Sequence, residues 1–323
     1  MKRRTVLTAA LAAPFVFAAS RAKAATKIIV GDPSPAEGAV GRTEALFKQL
    51  AEKYSEGDLV VEVYPNSQLG TFDTMATQMK VNLVNVMFIQ PDALGGQVPI
   101  VTANAWPFLF SNQDDMLRAW NGKGGLALIA EVEKRSGYRM IAPSWNTARW
   151  VYTTRKAQSL DDLKGMKIRV PGTAIYVNQA KLMGLSPIPM SIAQTFTAMQ
   201  QGVVEGIEGA ISDMASLSIQ DVSKSVVKTG HVLSPKAFLT YGKFVDSLSP
   251  KGKEAFMRAA HEASTFFGET SKADESKLLA DFKAKGVTFV ESGHTLAEMQ
   301  AMTQPMQTQL PEVYEWAKKL AAG

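Results

Sequence analysis

The 323-residue chain contains no cysteine, which excludes disulfides, thiolate metal sites and thiol nucleophiles together. Its formal charge of +5 comes from the first 24 residues, where Lys2, Arg3, Arg4, Arg21 and Lys23 stand without an acid; the remainder is neutral, and its charge argues for no nucleic-acid or acidic-membrane partner. That remainder, 46% apolar over the whole chain, is long enough for two α/β lobes or one large one.

In chain order the first feature is an export signal. Lys2-Arg3-Arg4 precede an apolar run from Val6 to Ala19, and Ala22-Lys23-Ala24 offers a small-x-small cleavage site, so residues 1–24 are expected to be removed. The apolar run contains Pro14 and falls short of the ~20 residues that span a bilayer, which disfavours the alternative of an uncleaved anchor. Arg3-Arg4-Thr5-Val6-Leu7 is similar to a twin-arginine signal, but adjacent arginines also occur in ordinary signals, and the export route stays open.

Thr26–Gly31 alternates toward Ile28 and Val30 and reads as a strand, followed by a helix from about Glu37 to Tyr54. Leu59–Tyr64 is a second strand closed by Pro65-Asn66-Ser67, Thr71–Lys80 a helix and Val84–Ile89 a buried strand. This alternation implies a parallel sheet with helical crossovers. Ser111–Asp114 has capping-box spacing and opens helical segments running to about Ser136. Tyr138–Trp145 and Arg149–Thr154 read as strands where the chain passes between lobes. In Lys167-Ile168-Arg169-Val170, Ile168 and Val170 point to one face and Lys167 and Arg169 to the other. Pro171-Gly172 ends that strand, so Arg169 lies near its carboxyl end, the end that lines ligand crevices in open α/β sheets. A guanidinium there suits a planar carboxylate held through two parallel hydrogen bonds; the alternative is a solvated strand face. Ser159 with Asp162 and Ser191 with Gln194 are further capping boxes, the second starting a helix that delivers Gln200, Gln201 and Gly202. Val226–Gly230 and Phe238–Phe244 read as strands. Pro250–Ala284 is helical throughout, well beyond the usual ~10–14 residues, and suits a spine shared by both lobes. Val287–Val290 and a helix from Leu296 complete the chain.

An enzyme finds little support. His231, His261 and His294 stand in no metal spacing, and there is no G-x-S-x-G, Walker A or G-x-G-x-x-G run; Gly122-Lys123-Gly124-Gly125 is only a glycine-rich turn. No catalytic residue, metal or cofactor is expected.

Two blocks carry a resemblance: Asp162-Leu163-Lys164-Gly165-Met166-Lys167-Ile168-Arg169-Val170-Pro171, and Ala198-Met199-Gln200-Gln201-Gly202-Val203-Val204-Glu205-Gly206-Ile207-Glu208-Gly209-Ala210. They resemble the "D-L-K-G-x-K-I-R-V-P" and "A-L-Q-x-G-V-V-D-G-x-E-N-P" signatures of the DctP-like solute-binding proteins of tripartite ATP-independent periplasmic (TRAP) transporters. Val61–Gly70 and Trp106-Pro107-Phe108-Leu109-Phe110 add matches in the right order, so the likeness covers essentially the whole mature chain. It implies a periplasmic, two-lobed clamp with interlobe strands and a long spanning helix. Lobe I would hold residues 25–148 and 232–262, and lobe II residues 149–231 and 263–323. The clamp would capture a small organic acid and deliver it to TRAP permease subunits; a clamp-type sensor, or the binding component of another transporter class, is the alternative. A monomer is expected, with a dimer the other outcome.

By the same resemblance Arg169 takes the place of the family's carboxylate-binding arginine. Arg149 matches a second family arginine, its alternative being an interlobe ion pair. Trp145 is a cleft wall or a core residue, and Ile192 an apolar wall where relatives often carry Phe. Gln90 and Asp32 are placed like first-lobe cleft residues, Asp32 alternatively a turn aspartate. Gly209 departs from the family's asparagine, which removes a donor beside Arg169 and leaves room for a bulkier or more apolar acid.

Overall fold

The computed structural model describes residues 25–323, so the export signal lies outside the described residues. The first lobe opens with β1 (Thr26–Gly31), α1 (Ala39–Ser55), β2 (Leu59–Tyr64), α2 (Phe72–Met79) and β3 (Val86–Ile89). β1 pairs in parallel with both β2 and β3, as helical crossovers require. After two 3₁₀ segments come α3 (Gln113–Asn121), α4 (Lys123–Ser136) and β4 (Tyr138–Ser144). Asn112, not Ser111, caps α3 by accepting from the Asp115 N–H, and the helical segments expected as far as Ser136 are two, divided at Gly122.

The second lobe comprises β5 (Arg149–Thr153), β6 (Lys167–Val170), α5 (Ala174–Leu182), β7 (Ser186–Pro189), α6 (Thr195–Gln200), β8 (Gly206–Ala210), α7 (Ile211–Ser216) and β9 (Ser225–Lys228). The chain then returns to the first sheet through β10 (Lys236–Tyr241), which ends earlier than the sequence suggests because α8 (Gly242–Ser247) begins there. α9 (Pro250–Ala284), β11 (Thr288–Glu291), α10 (Leu296–Thr303), α11 (Met306–Gln309) and α12 (Pro311–Ala321) complete it. The two mixed sheets have strand orders β2-β1-β3-β10-β4 and β11-β9-β5-β8-β6-β7.

Three segments join the sheets: residues 145–148, residues 229–235 and α9. At ~1.5 Å per residue a 35-residue helix is about 50 Å long, enough to run past both lobes. Ser249 caps it by accepting from the Gly252 N–H, and Pro250 occupies the first turn, where its missing N–H costs nothing. Ala263 and Phe267 still pack in the first lobe's core with Phe47 and Phe238, whereas Phe282 belongs to the second lobe's core with Tyr152 and Ile207. α12 returns to pack on α3, α4 and the 3₁₀ segment Pro99–Ala105 of the first lobe. The last 61 residues, expected in lobe II, therefore divide between lobes.

One irregularity positions the cleft. The β10–β4 register shifts between Lys236 and Phe238, and Ala142 in β4 takes a left-handed φ of 53°. Bulges re-aim side chains, and Lys236, the residue at the shift, is directed into the space between the lobes.

Candidate functional site

A cleft of about 470 Å³ lies between the two sheets. It takes the carboxyl ends of β1 and β3 from one lobe and those of β6 and β8 from the other, the usual ligand side of parallel strands.

In the second lobe three adjacent strands present the charges. Arg149 starts β5, which runs antiparallel to β8, so it stands at the same edge as Gly209 and Ala210 at the end of β8. β6, parallel to β8 on its other side, brings Arg169 to that edge. Arg149 and Arg169 are each only 6% exposed, but their surroundings differ. Glu208 accepts from Arg149 Nε at 2.6 Å and Nη2 at 2.7 Å, and the guanidinium stacks 4.8 Å from the Tyr176 ring centre. Burial alone would push the Glu208 carboxyl up; Arg149 and His231 outweigh it and hold it down at about 2. This is a neutralised pair within one sheet, not the interlobe ion pair weighed for Arg149.

Arg169 has no acid partner among the described residues. Its Nε and Nη2 both donate to the Met190 carbonyl, at 3.0 and 2.9 Å, leaving the other guanidinium N–H groups for something else. Burial lowers its pKa to about 10, with Arg149 adding to the effect and Glu208 opposing it. A buried cation short of one negative charge is a binding site for an anion.

The first-lobe wall is polar. Asp32 is enclosed just past β1 and accepts from the Ser34 N–H. Burial raises its pKa to about 6, against the pull of Lys236. Lys236 is 3% exposed and forms an ion pair with Asp213 of α7 at 3.0 Å. The Gln90 amide donates to Asp213 at 3.1 Å while its oxygen accepts from Lys236 at 3.3 Å. Asp92 accepts from Tyr176 Oη at 2.6 Å, and from Asn104 and Ser234. Since Asp213 and Tyr176 belong to the second lobe, both contacts tie the lobes together over the cleft.

Of the residues expected from sequence, Arg169, Arg149, Gly209, Gln90, Ile192 and Asp32 all line this cleft. Trp145 does not. It lies half-buried in a separate groove between β4 and α9, with Lys272 5.9 Å from its ring centre, so it is neither cleft wall nor core. At Gly209 the expected free space is occupied: a Cβ would stand 2.5 Å from the terminal methyl of Met214. Its φ lies outside the left-handed region, so the requirement is room, not backbone freedom. Sequence reasoning missed Lys236, Asp213, Asp92, Tyr176 and Glu208. A lysine entering the otherwise apolar run Ala237-Phe238-Leu239 was a usable signal; the others carry none until the sheets are paired. Among the described residues no group of three His, Asp or Glu side chains is placed to hold a metal.

The family profile for bacterial extracellular solute-binding protein, family 7, matches residues 32–315. The sialic acid-binding periplasmic protein SiaP of Vibrio cholerae is 24% identical over 270 residues, 84% of each chain. A TRAP periplasmic solute-binding protein from a Polaromonas species, solved with bound D-erythronate, superposes with a TM-score of 0.85 at 25% identity, covering 92% of this chain and 97% of that one. One from Xanthobacter autotrophicus, solved with β-D-galacturonate, gives 0.84 at 25% identity over 92% and 99%.

Proposed function

The chain belongs to the bacterial extracellular solute-binding proteins of family 7, the TRAP receptor family, and from that premise we propose that its ligand is a hydroxylated monocarboxylate of sugar-acid size. One observation carries this reading: Arg169 is a buried guanidinium with free N–H donors and no acid among the described residues, so a single ligand carboxylate completes its charge. Arg149 contributes field more than hydrogen bonds, because Glu208 already occupies two of its donors. The remainder of the ligand meets Asp32, Gln90 and Lys236, a wall of donors and acceptors that suits hydroxyl groups. Met190, Ile192 and Met214 supply an apolar side for the carbon chain. The ligands bound by the related proteins, D-erythronate and galacturonate, have this pattern of one carboxylate and several hydroxyls.

Closure of the lobes excludes water and strengthens the ion pair at Arg169, and the closed shape is what TRAP permease subunits receive. The protein acts as a monomer by binding and release, without turnover. It reaches the periplasm after cleavage behind Ala24. A thermal-shift panel of aldonates, uronates, dicarboxylates and matched neutral sugars tests the ligand class. An acid at 100 times its dissociation constant adds roughly 2.7 kcal/mol, a shift read directly from the melting curve. Stabilisation by neutral sugars and by no acid overturns the reading.

A further inference from the structure

Behind Asp32 stands a carboxyl group that the cleft does not use directly. Glu44 sits on the buried face of α1 between Val40 and Phe47, fully enclosed, and neither of its oxygens has a donor among the described residues. It faces Asp32 within hydrogen-bonding reach. Asp32 is itself 1% exposed and lines the cleft, and one of its oxygens is taken by the Ser34 N–H. An ionised carboxylate without a donor in an enclosed site is costly, whereas a protonated one that donates its O–H to a neighbouring carboxylate is satisfied.

We propose that Glu44 is a positioning residue: it keeps its proton at neutral pH and donates it to Asp32, so that the pair presents one oriented carboxylate to a ligand hydroxyl, opposite Arg169. The charges around the pair allow no more than that. Lys236 of β10 is the cation acting on both carboxyls, and it is shared with Asp213 of α7. On the α9 side Lys236 meets the Phe267 ring, 6.0 Å from its ammonium, and Arg42, the cation on α1 nearest Glu44 in sequence, is paired with Asp274 of α9. With both carboxylates ionised, Asp32, Glu44 and Asp213 would set three negative charges against Lys236, two in excess. Burial, and then the neighbouring Asp32, push the Glu44 carboxyl well above its ordinary range.

The docking of a hydroxyl on Asp32 rests on the sugar-acid reading; the shared proton does not, and the two fail separately. The test is the stability of ligand-free wild type and Glu44→Gln, an isostere that keeps a donor and cannot ionise, across pH ~5 to ~8. Folding of wild type then requires a proton on Glu44 that the unfolded chain has lost. The folding constant of Glu44→Gln, relative to wild type, is expected to rise about tenfold per pH unit. Parallel curves for the two proteins overturn the proposal. An infrared band from a protonated carboxyl at pH ~7.5 in wild type alone gives a second readout; its absence overturns the proposal even where the variant does not fold. Against whichever acid stabilises wild type in the panel, Glu44→Gln retains affinity and Glu44→Leu loses about tenfold; equal binding by both variants removes the positioning role. If no acid binds while the stability curves diverge, the shared proton stands and the sugar-acid reading falls.

Discussion

Arg149 and Arg169 reach the same cleft from strands on either side of β8, yet only Arg149 has an acid partner among the described residues. That difference gives opposite expectations for the two. Arg169→Ala removes a ligand partner and is expected to weaken binding by roughly 2–5 kcal/mol, about 30-fold to several-thousand-fold, as read by calorimetry. Arg169→Lys is expected to bind poorly too, because an ammonium lacks the two-pronged geometry. Arg169→Leu should melt higher than wild type without ligand, since it replaces an unpaired buried cation with apolar volume. Glu208→Gln works the other way. It leaves Arg149 buried without its acid and should cost about 3–5 kcal/mol of stability. The folded Glu208 carboxyl lies at about 2, below its unfolded value, so its stabilisation is present above the ordinary carboxylate range and is lost as pH falls through about 2. Acid titration of wild type should show that loss, and the same titration of Glu208→Gln should be flatter.

At the level of elements, the β8–α7 junction decides how the cleft is shaped. Met214 in the first turns of α7 covers Gly209 at the end of β8, so the two positions act as a unit. Gly209→Asn alone must displace the Met214 methyl and is expected to lose affinity for large acids. Combined with Met214→Ala it should regain binding for small ones, with a coupling of ~0.5–3 kcal/mol in a double-mutant cycle; strictly additive effects would mean that the contact does not shape the site. Elements whose cause is local were legible in the sequence. β1, β2 and α9 fall on the residues that alternation, turn residues and helical periodicity select, and Arg169 stands near the carboxyl end of its strand as Pro171-Gly172 implied. What was not legible depends on pairing between distant segments. Glu208 meets Arg149 only because β5 and β8, 59 residues apart, pair antiparallel. Lys236 enters the cleft only because β10 slips against β4 at a bulge, and Trp145 lies outside it because the chain there packs against α9 at Gly268. β7, with two prolines in four residues, offered no strand signal of its own; its position at the sheet edge is what tolerates them.

At the scale of the whole molecule the clamp closes through few polar contacts. Tyr176 to Asp92, and Lys236 and Gln90 to Asp213, are bonds between lobes that an open form would lose. Tyr176→Phe removes one donor while Asp92 keeps Asn104 and Ser234, so it should weaken binding by about 0.5–1.5 kcal/mol without altering ligand preference. Small-angle scattering of the ligand-free variant should show a larger radius of gyration than wild type if that bond holds the lobes together. The central claim, that the cleft exists to neutralise Arg169 with a ligand carboxylate, is tested most directly by calorimetry of wild type and Arg169→Ala against sugar acids and their neutral counterparts. An acid is expected to bind wild type, its neutral counterpart is not, and Arg169→Ala is expected to bind neither. An acid bound equally well by both proteins, or a neutral sugar bound as tightly as its acid, would contradict it.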